Sequence, residues 1–248
     1  MKKIIISFLL IFFIGIITYC NFAKKEAQSK DVLLPLKIIK LSVPEPSGLV
    51  FEDATNTLWT VSDETSLIYN IDTNGNIIKT LSVKGKDLEG ITFVADSLIA
   101  IVLERKREVV LLNKEGREQN RFRLKLKGNL NEGLEGISYN KKNKHLYLVN
   151  EMNPCLLIET TLSGEIIAEH KLKISKDLSG LSYDDVKDEL WIISDESKAV
   201  YKCKPDGTLI KEFKVDIKQI EGIAFDFTNS KLFLISDKTE KLYIFDLP

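Results

Sequence analysis

The sequence has few of the residues on which common enzyme chemistries depend. Its 248 residues include two histidines and three cysteines. His145 lies in a polar stretch and His170 in a strand-like run, and neither is near a repeated motif, which argues against a Ser-His-Asp arrangement. The sequence also contains no phosphate-cradling glycine loop and no redox cysteine pair. It therefore gives no support to nucleophilic triad, phosphate-loop or thiol-redox chemistry.

An excess of basic charge is also missing. The chain has 35 basic and 36 acidic side chains, for a formal net charge of -1. Nucleic-acid-binding proteins usually carry a basic patch, and no block of lysine and arginine with interleaved aromatic residues occurs here. We expect no nucleic-acid partner.

Two of the three cysteines, Cys155 and Cys203, have no histidines close by in the sequence. Two such cysteines do not make a zinc site. They stand at non-equivalent positions of the repeat, so nothing requires them to pair. We interpret both as free thiols packed in the protein interior.

The N-terminal segment has the form of an export signal. Lys2 and Lys3 precede an apolar run from Ile4 to Tyr19, as in the charged and apolar regions of a secretory signal. The run is short for a membrane-spanning helix, which needs ~20 apolar residues. We predict a signal peptide over residues 1–19, with an uncleaved membrane anchor as the alternative.

The cysteine that follows this run is a candidate for lipidation. Ile17-Thr18-Tyr19-Cys20 resembles a bacterial lipobox, although Tyr19 is bulky where a small residue is usual. Lipidation of Cys20 and an uncleaved anchor both attach the chain to the membrane. Either way we expect a protein on the extracytoplasmic face of the cell membrane or envelope, with a polar tether over residues 20–32.

A repeated acidic-glycine motif organises residues 33–248. Its copies are Pro46-Ser47-Gly48-Leu49, Leu88-Glu89-Gly90-Ile91, Leu134-Glu135-Gly136-Ile137, Leu178-Ser179-Gly180-Leu181 and Ile220-Glu221-Gly222-Ile223. Successive glycines are 42 to 46 residues apart, and a four-stranded propeller blade takes ~40–50 residues. An aromatic residue stands three positions after each glycine, and further short apolar runs typical of strands follow. The sequence predicts an all-β, five-bladed β-propeller with four-stranded blades.

The last repeat lacks its fourth strand, because the sequence given stops at Pro248, soon after the run Leu242–Phe245. A surplus strand-like run, Leu36–Val43, precedes the first motif. We predict that it supplies the outer strand of the last blade, which would remove an exposed sheet edge. An open β-solenoid is the alternative, but it would need capping units at both ends.

The motifs Leu58-Trp59-Thr60-Val61-Ser62-Asp63-Glu64 and Leu190-Trp191-Ile192-Ile193-Ser194-Asp195-Glu196, the repeated Glu-Gly-Ile and the N-terminal anchor resemble the SdiA-regulated (YjiK-like) family of bacterial envelope proteins. The resemblance covers about residues 33–248. It implies a five-bladed propeller held in the envelope, with loose similarity to calcium-dependent β-propeller phytases. It implies no defined activity, since one fold supports many functions.

Acidic residues recur at two places of the repeat that share one face of a propeller. The first strands begin with Glu89, Glu135 and Glu221, and Asp63, Glu104, Glu151, Asp195 and Asp237 follow the second strands. Converging carboxylates must take up protons or bind a cation, and oxygen ligands favour Ca²⁺ first and Mg²⁺ second. The predicted metal ligands are Glu89, Glu135, Glu221, Asp63, Glu151, Asp195 and Asp237. Alternatively, the glutamates lock neighbouring blades together and bind no metal.

Lys86, Lys176 and Lys218 each lie three residues before the signature Glu or Ser. Beside a bound cation they would suit a phosphate or carboxylate; otherwise they are solvated loop charges. We therefore expect a Ca²⁺-binding envelope propeller that presents a surface to a protein partner or a small anionic ligand. A metal-dependent phosphoester hydrolase and a metal-free scaffold are the alternatives.

We predict that Cys20 is the attachment point. Because Cys20 is the predicted lipidated residue, metabolic labelling with a palmitate analogue should mark the wild-type protein and leave Cys20→Ala unlabelled. An unlabelled wild-type protein that still sediments with membranes would favour the uncleaved anchor.

Overall fold

Short β-strands and tight turns follow one another along the whole described part of the chain. The structure, a computed structural model, describes residues 32–95, 97–126, 129 and 131–248, and residues 34–248 form one compact unit. The predicted signal peptide, Cys20 and all of the tether except Val32 lie outside the described residues. Within the described part, no helix has the length and apolar character needed to cross a bilayer.

Five four-stranded antiparallel sheets form the blades of the propeller. Blade 1 contains β2 (Pro46–Glu52), β3 (Thr57–Ser62), β4 (Leu67–Asp72) and β5 (Ile77–Ser82); blade 2 contains β6 (Leu88–Val94), β7 (Leu98–Leu103), β8 (Glu108–Asn113) and β9 (Glu118–Arg123); blade 3 contains β10 (Leu134–Asn140), β11 (His145–Asn150), β12 (Leu156–Thr160) and β13 (Ile166–Lys171); blade 4 contains β14 (Gly180–Asp184), β15 (Glu189–Ser194), β16 (Ala199–Cys203) and β17 (Leu209–Lys214); blade 5 contains β18 (Ile220–Asp226), β19 (Lys231–Ser236), β20 (Lys241–Asp246) and β1 (Lys37–Lys40). The inner strands β2, β6, β10, β14 and β18 contact one another in cyclic order. The predicted five-bladed propeller is confirmed.

The strand β1 closes the ring as the sequence predicts. It pairs antiparallel with β20, with Ile38 opposite Tyr243, and the Leu36 N–H donates to the Ile244 carbonyl at 2.7 Å. The ladder is shorter than the predicted run of residues 36–43. Its last part leaves the sheet and enters the core, where Leu41 and Val43 are buried.

Aromatic pairs join neighbouring blades. The aromatic residue three positions after each motif glycine packs against a ring of the preceding blade in four of the five interfaces. The ring centroids are 5.6 Å apart for Phe51–Phe233, 5.9 Å for Trp59–Phe93, 5.8 Å for Tyr147–Tyr183 and 5.2 Å for Trp191–Phe225. In the fifth interface Ala100 replaces the second ring, and Tyr139 joins an aliphatic cluster. Cys155 and Cys203 are buried free thiols, as predicted.

The motif glycines lie where the inner strands approach each other at the axis. A Cβ atom on Gly48 would stand 2.4 Å from the carbonyl oxygen of Glu89, and one on Gly90 would stand 2.6 Å from that of Glu135. No real side chain tolerates such distances to backbone atoms. Glycine is therefore required by this close approach, and the residues on either side of it are placed at opposite ends of the channel.

Removal of residues 33–43 should unfold the propeller. The variant that begins at Pro44 loses the closing strand and the buried side chains of Leu41 and Val43, each worth about 1.5–3 kcal/mol of burial, and it leaves the edge of β20 unpaired. We expect insoluble protein or a strongly lowered melting temperature by circular dichroism. A variant beginning at Val32 is the control: it keeps the closing strand, and it should be soluble and melt cooperatively at a higher temperature than the variant that begins at Pro44. Equal melting of both variants would contradict the closure model.

Candidate metal centre at the channel mouth

An acidic cavity of about 320 Å³ opens at one end of the channel. Its lining consists of Glu45, Ser47, Asp63, Glu89, Glu135, Glu151, Met152, Asp177, Ser179, Asp195, Glu196, Gln219, Glu221 and Asp237. All seven predicted metal ligands are among these residues. No lysine or arginine of the described residues lines it, so the carboxylates face one another without an opposing charge inside the cavity.

The acids that follow the second strands are held at equivalent positions by backbone hydrogen bonds. In four blades the backbone N–H of this acid donates to a carbonyl two positions before the second residue of the repeated motif. That second residue is Ser47 in blade 1 and a glutamate in the other three. These bonds are Asp63 to Glu45 (3.3 Å), Glu104 to Asp87 (2.9 Å), Glu151 to Gly133 (2.8 Å) and Asp237 to Gln219 (3.1 Å). The repeat therefore aims one acidic side chain per blade at the same face.

Blade 4 uses a side chain for the same purpose. The Oδ2 atom of Asp177 accepts the N–H groups of Asp195 at 2.8 Å and Glu196 at 3.3 Å. Its Oδ1 atom accepts the hydroxyl of Ser194 at 2.5 Å. Asp177 is buried and fully occupied in holding this turn, so its role in the cavity wall is structural.

Three glutamates form a group that could hold a metal ion. Carboxylate oxygens of Glu104, Glu135 and Glu151 all lie within 4.8 Å of one another. Glu104 is absent from the predicted ligand set, although it follows the second strand at the same register as Asp63 and Glu151. Its Oε1 atom also accepts the N–H of Gly133 at 3.3 Å. The register alone would have identified it.

Burial and mutual repulsion raise the pKa values of these carboxyl groups. Burial, the larger cause, raises the pKa of Glu89 to about 8 and that of Glu151 to about 7. The pKa values of Glu135 and Glu221 lie well above the usual range, because burial and then the surrounding carboxylates disfavour the charged form. Burial also raises the pKa values of the rim acids: Glu45, Asp63, Glu104, Asp195 and Asp237.

Hydrogen bonding does not relieve this repulsion at the centre. Among the described residues no donor reaches the carboxylates of Glu135, Glu151 or Glu221. The hydroxyl of Ser179 donates to the backbone carbonyl of Ile220 at 2.5 Å. The hydroxyl of Ser47 lies 3.0 Å from the backbone carbonyl of Glu89, and its hydrogen bond to the Glu89 carboxylate offsets part of the rise in that group's pKa. Among the described residues, the carboxylate of Glu89 is therefore linked to the neighbouring blade by a hydrogen bond, whereas those of Glu135, Glu151 and Glu221 are not.

The three predicted anion-binding lysines do not join the acidic cavity. Lys86, Lys176 and Lys218 are exposed, and none of them lines it. Lys176 lies along a separate open surface depression that also contains Lys171 and Lys173. Anion binding by these lysines stays a prediction, and the structure gives it no common site with the carboxylates.

The fold and the cavity together define a five-bladed β-propeller with an acidic channel mouth. The family model of the SdiA-regulated proteins matches residues 27–246. The chain belongs to the SdiA-regulated family.

Several solved propellers are similar in fold. Glutaminyl cyclase from Myxococcus xanthus has a TM-score of 0.68 at 11% identity, covering 88% of this chain and 98% of the cyclase. A chain of a nidogen/laminin complex has a TM-score of 0.59 at 15% identity, covering 82% and 76%. A catalytically inactive virginiamycin B lyase from Staphylococcus aureus with quinupristin has a TM-score of 0.53 at 18% identity, covering 82% and 66%. At these identities the likeness shows the fold alone.

The raised pKa values predict that the metal-free protein becomes less stable as the pH rises from about 5 to 8. Glu89 releases its proton near 4.5 when unfolded but near 8 when folded, so the folded state binds more protons in this window. Its contribution to the free energy of unfolding is therefore complete below the unfolded pKa and is lost as the pH rises through the folded one. Urea midpoints measured in chelator at pH 5, 6, 7 and 8 should fall.

The matched control for this pH series is Glu135→Gln, which removes one titrating group from the cavity and should flatten the slope. A midpoint that stays constant or rises between pH 5 and 8 would contradict the prediction.

Proposed function

We propose that this protein is a metal-binding β-propeller of the cell envelope that takes up Ca²⁺, or less readily Mg²⁺, in the acidic cavity. The observation that carries the proposal is the group of Glu104, Glu135 and Glu151, with oxygens within 4.8 Å of one another and no compensating cation lining the cavity. Carboxylates this close cannot all be charged unless a cation stands between them.

The number and kind of ligands favour Ca²⁺. It takes 6–8 oxygen ligands in a flexible geometry, whereas Mg²⁺ demands a near-octahedral set and keeps several waters. Glu89, Glu135 and Glu221 would contribute ligands from the inner strands, and Asp63, Glu104, Glu151, Asp195 and Asp237 would contribute them from the segments that follow the second strands. Such a set offers more oxygens than one ion needs, which suits the adaptable coordination of Ca²⁺.

The expected location agrees with this choice. The signal-like N-terminal segment and Cys20 support export and attachment to the membrane, and extracellular calcium modules commonly bind at 10⁻⁴–10⁻³ M. A site of that affinity would be filled outside the cell and empty in the cytoplasm. We infer that the propeller matures by binding the ion after export and then presents this face to a protein partner or a small anionic ligand.

A hydrolase is the second candidate, and the size of the cavity favours keeping it. About 320 Å³ is at the lower end of small-molecule sites, so a bound ion would leave space for a small substrate. The similar structures include enzymes, a cyclase and a lyase. A phosphoester could approach these carboxylates only after a metal had reversed the local charge, and the metal would then activate water. A metal-free interaction scaffold is the remaining alternative.

Calcium should stabilise the described domain, and three substitutions should abolish the effect. A ligand at a hundredfold excess over its Kd stabilises the folded state by about 2.7 kcal/mol, so Ca²⁺ should raise the melting temperature and chelator should lower it. The triple variant Glu89→Gln, Glu135→Gln and Glu221→Gln keeps the shape and loses the charge. It should no longer respond to Ca²⁺, while its metal-free form should be as stable as the wild type or more so.

The control triple variant is Glu115→Gln, Glu165→Gln and Glu169→Gln. It changes the net charge equally at exposed positions and should keep the full response. If Ca²⁺ has no effect on the wild type and the cavity variant is much less stable, the glutamates are structural, and the metal and hydrolase proposals are both wrong. Hydrolysis of p-nitrophenyl phosphate with and without Ca²⁺ separates the hydrolase from a binding protein.

A further inference from the structure

A second cavity, of about 480 Å³, opens at the end of the channel opposite the acidic one. Its walls are the aromatic residues that follow the motif glycines: Phe51, Phe93, Tyr139, Tyr183 and Phe225. Leu49, Ile91, Ile137 and Leu181 line its inner end. This aromatic cavity falls within the size range of small-molecule sites.

The two cavities are sealed from each other. Between them the five motif glycines surround a space of about 10 Å³, which is barely the room that one water molecule needs. A ligand in the aromatic cavity therefore does not contact the carboxylates at the other end. The two ends of the channel are independent sites with opposite chemistry.

The walls of the aromatic cavity are rigid before any ligand arrives. Phe51, Phe93, Tyr183 and Phe225 each pack against a ring of the neighbouring blade at centroid distances of 5.2 to 5.9 Å. Rings held in this way lose little conformational freedom on binding. At the rim, Phe227 stacks on Phe225 with centroids 5.2 Å apart and remains 36% exposed, which extends the apolar wall outward.

Two hydroxyl groups on this surface lack partners. The side chains of Thr92 and Ser182 line the cavity, and no described residue makes a hydrogen bond to either hydroxyl. Thr92 is only 6% exposed as a residue, but its hydroxyl oxygen is not shut off from the cavity, so a ligand there can reach it. Ser138, at the same repeat position, shows the satisfied alternative, since its Oγ accepts the N–H of Tyr183 at 3.0 Å. The free hydroxyls point to a ligand that carries a polar group.

Charges of both signs stand around the cavity, in contrast to the other end, where, among the described residues, only acidic side chains do. Lys114 contacts Glu52 at 2.5 Å and lies 5.2 Å from the ring centre of Phe93. Asp185 accepts the backbone N–H of Lys141 at 3.2 Å. Because opposite charges alternate here, the cavity attracts neither anions nor cations strongly, and a neutral molecule suits it best.

We propose that the aromatic cavity binds a small, neutral molecule that has a flat apolar body and one polar substituent. The body stacks on the aromatic walls, and the substituent completes the hydrogen bonding of Thr92 and Ser182. This site does not depend on calcium or on the acidic cavity.

The probe for this proposal is N-phenyl-1-naphthylamine, a neutral aromatic amine whose fluorescence rises in apolar surroundings and whose N–H can donate to a hydroxyl. We expect a saturable fluorescence increase with the described domain. Ser182→Phe fills the cavity and should weaken binding at least about tenfold. Thr92→Val keeps the volume and removes one acceptor, which should weaken binding roughly fivefold without lowering the melting temperature.

Two controls locate the probe. The cavity variant Glu89→Gln, Glu135→Gln, Glu221→Gln and the addition of Ca²⁺ should leave probe affinity unchanged, so failure of the calcium proposal does not affect this one. Ile210→Ser removes an exposed apolar side chain from the outer strand β17 and should also change nothing. The proposal is overturned if binding is not saturable, if Thr92→Val binds as the wild type does, or if Ile210→Ser weakens binding while folded Ser182→Phe does not.

Discussion

The inner strands meet at the axis of the propeller with no room for side chains. A Cβ on Gly136 would stand 2.6 Å from the backbone nitrogen of Leu181, and Gly48, Gly90 and Gly222 are similarly crowded by backbone atoms. Gly180 is less crowded, since its Cβ would stand 3.1 Å from the nearest backbone atom. With only five blades, the ring closes so tightly that four of the five blades require glycine at this position. The chain enters this contact from one face and leaves it on the other. The same constraint therefore separates an acidic cavity from an aromatic one and repeats both chemistries around the ring.

Most of the fold could be predicted because it rests on a local pattern repeated five times. The spacing of the glycines indicates the number of blades, the apolar runs indicate the strands, and the incomplete last repeat indicates the closing strand. What the pattern could not show is where β1 stops pairing. Leu41 and Val43 are buried in the core and lie beyond the end of β1. The sequence could not show this, because apolar residues alternate in the same way in a strand and in a segment that enters the core.

The candidate site was only partly predictable. The convergence of the acids follows from the register of equivalent strands, which sequence spacing shows. The roles within the group depend on turns that spacing does not show. Asp87 and Asp177 both follow a lysine and precede a leucine, but only Asp177 accepts side-chain and backbone donors from its turn. The neighbouring lysines could not be placed either, since long side chains on exposed loops have no packing that fixes their direction.

The pairing of β1 with β20 joins segments from opposite ends of the described chain. In the proposed export, which would start from the N-terminus, β1 would emerge first and its partner last. For the whole of translocation the first strand would carry unsatisfied hydrogen-bonding groups and exposed leucine and isoleucine side chains. Contacts this distant in sequence form slowly. Under the proposed attachment of the N-terminal segment to the membrane, this early strand would be kept away from other chains, and the attachment would then aid folding as well as set the location.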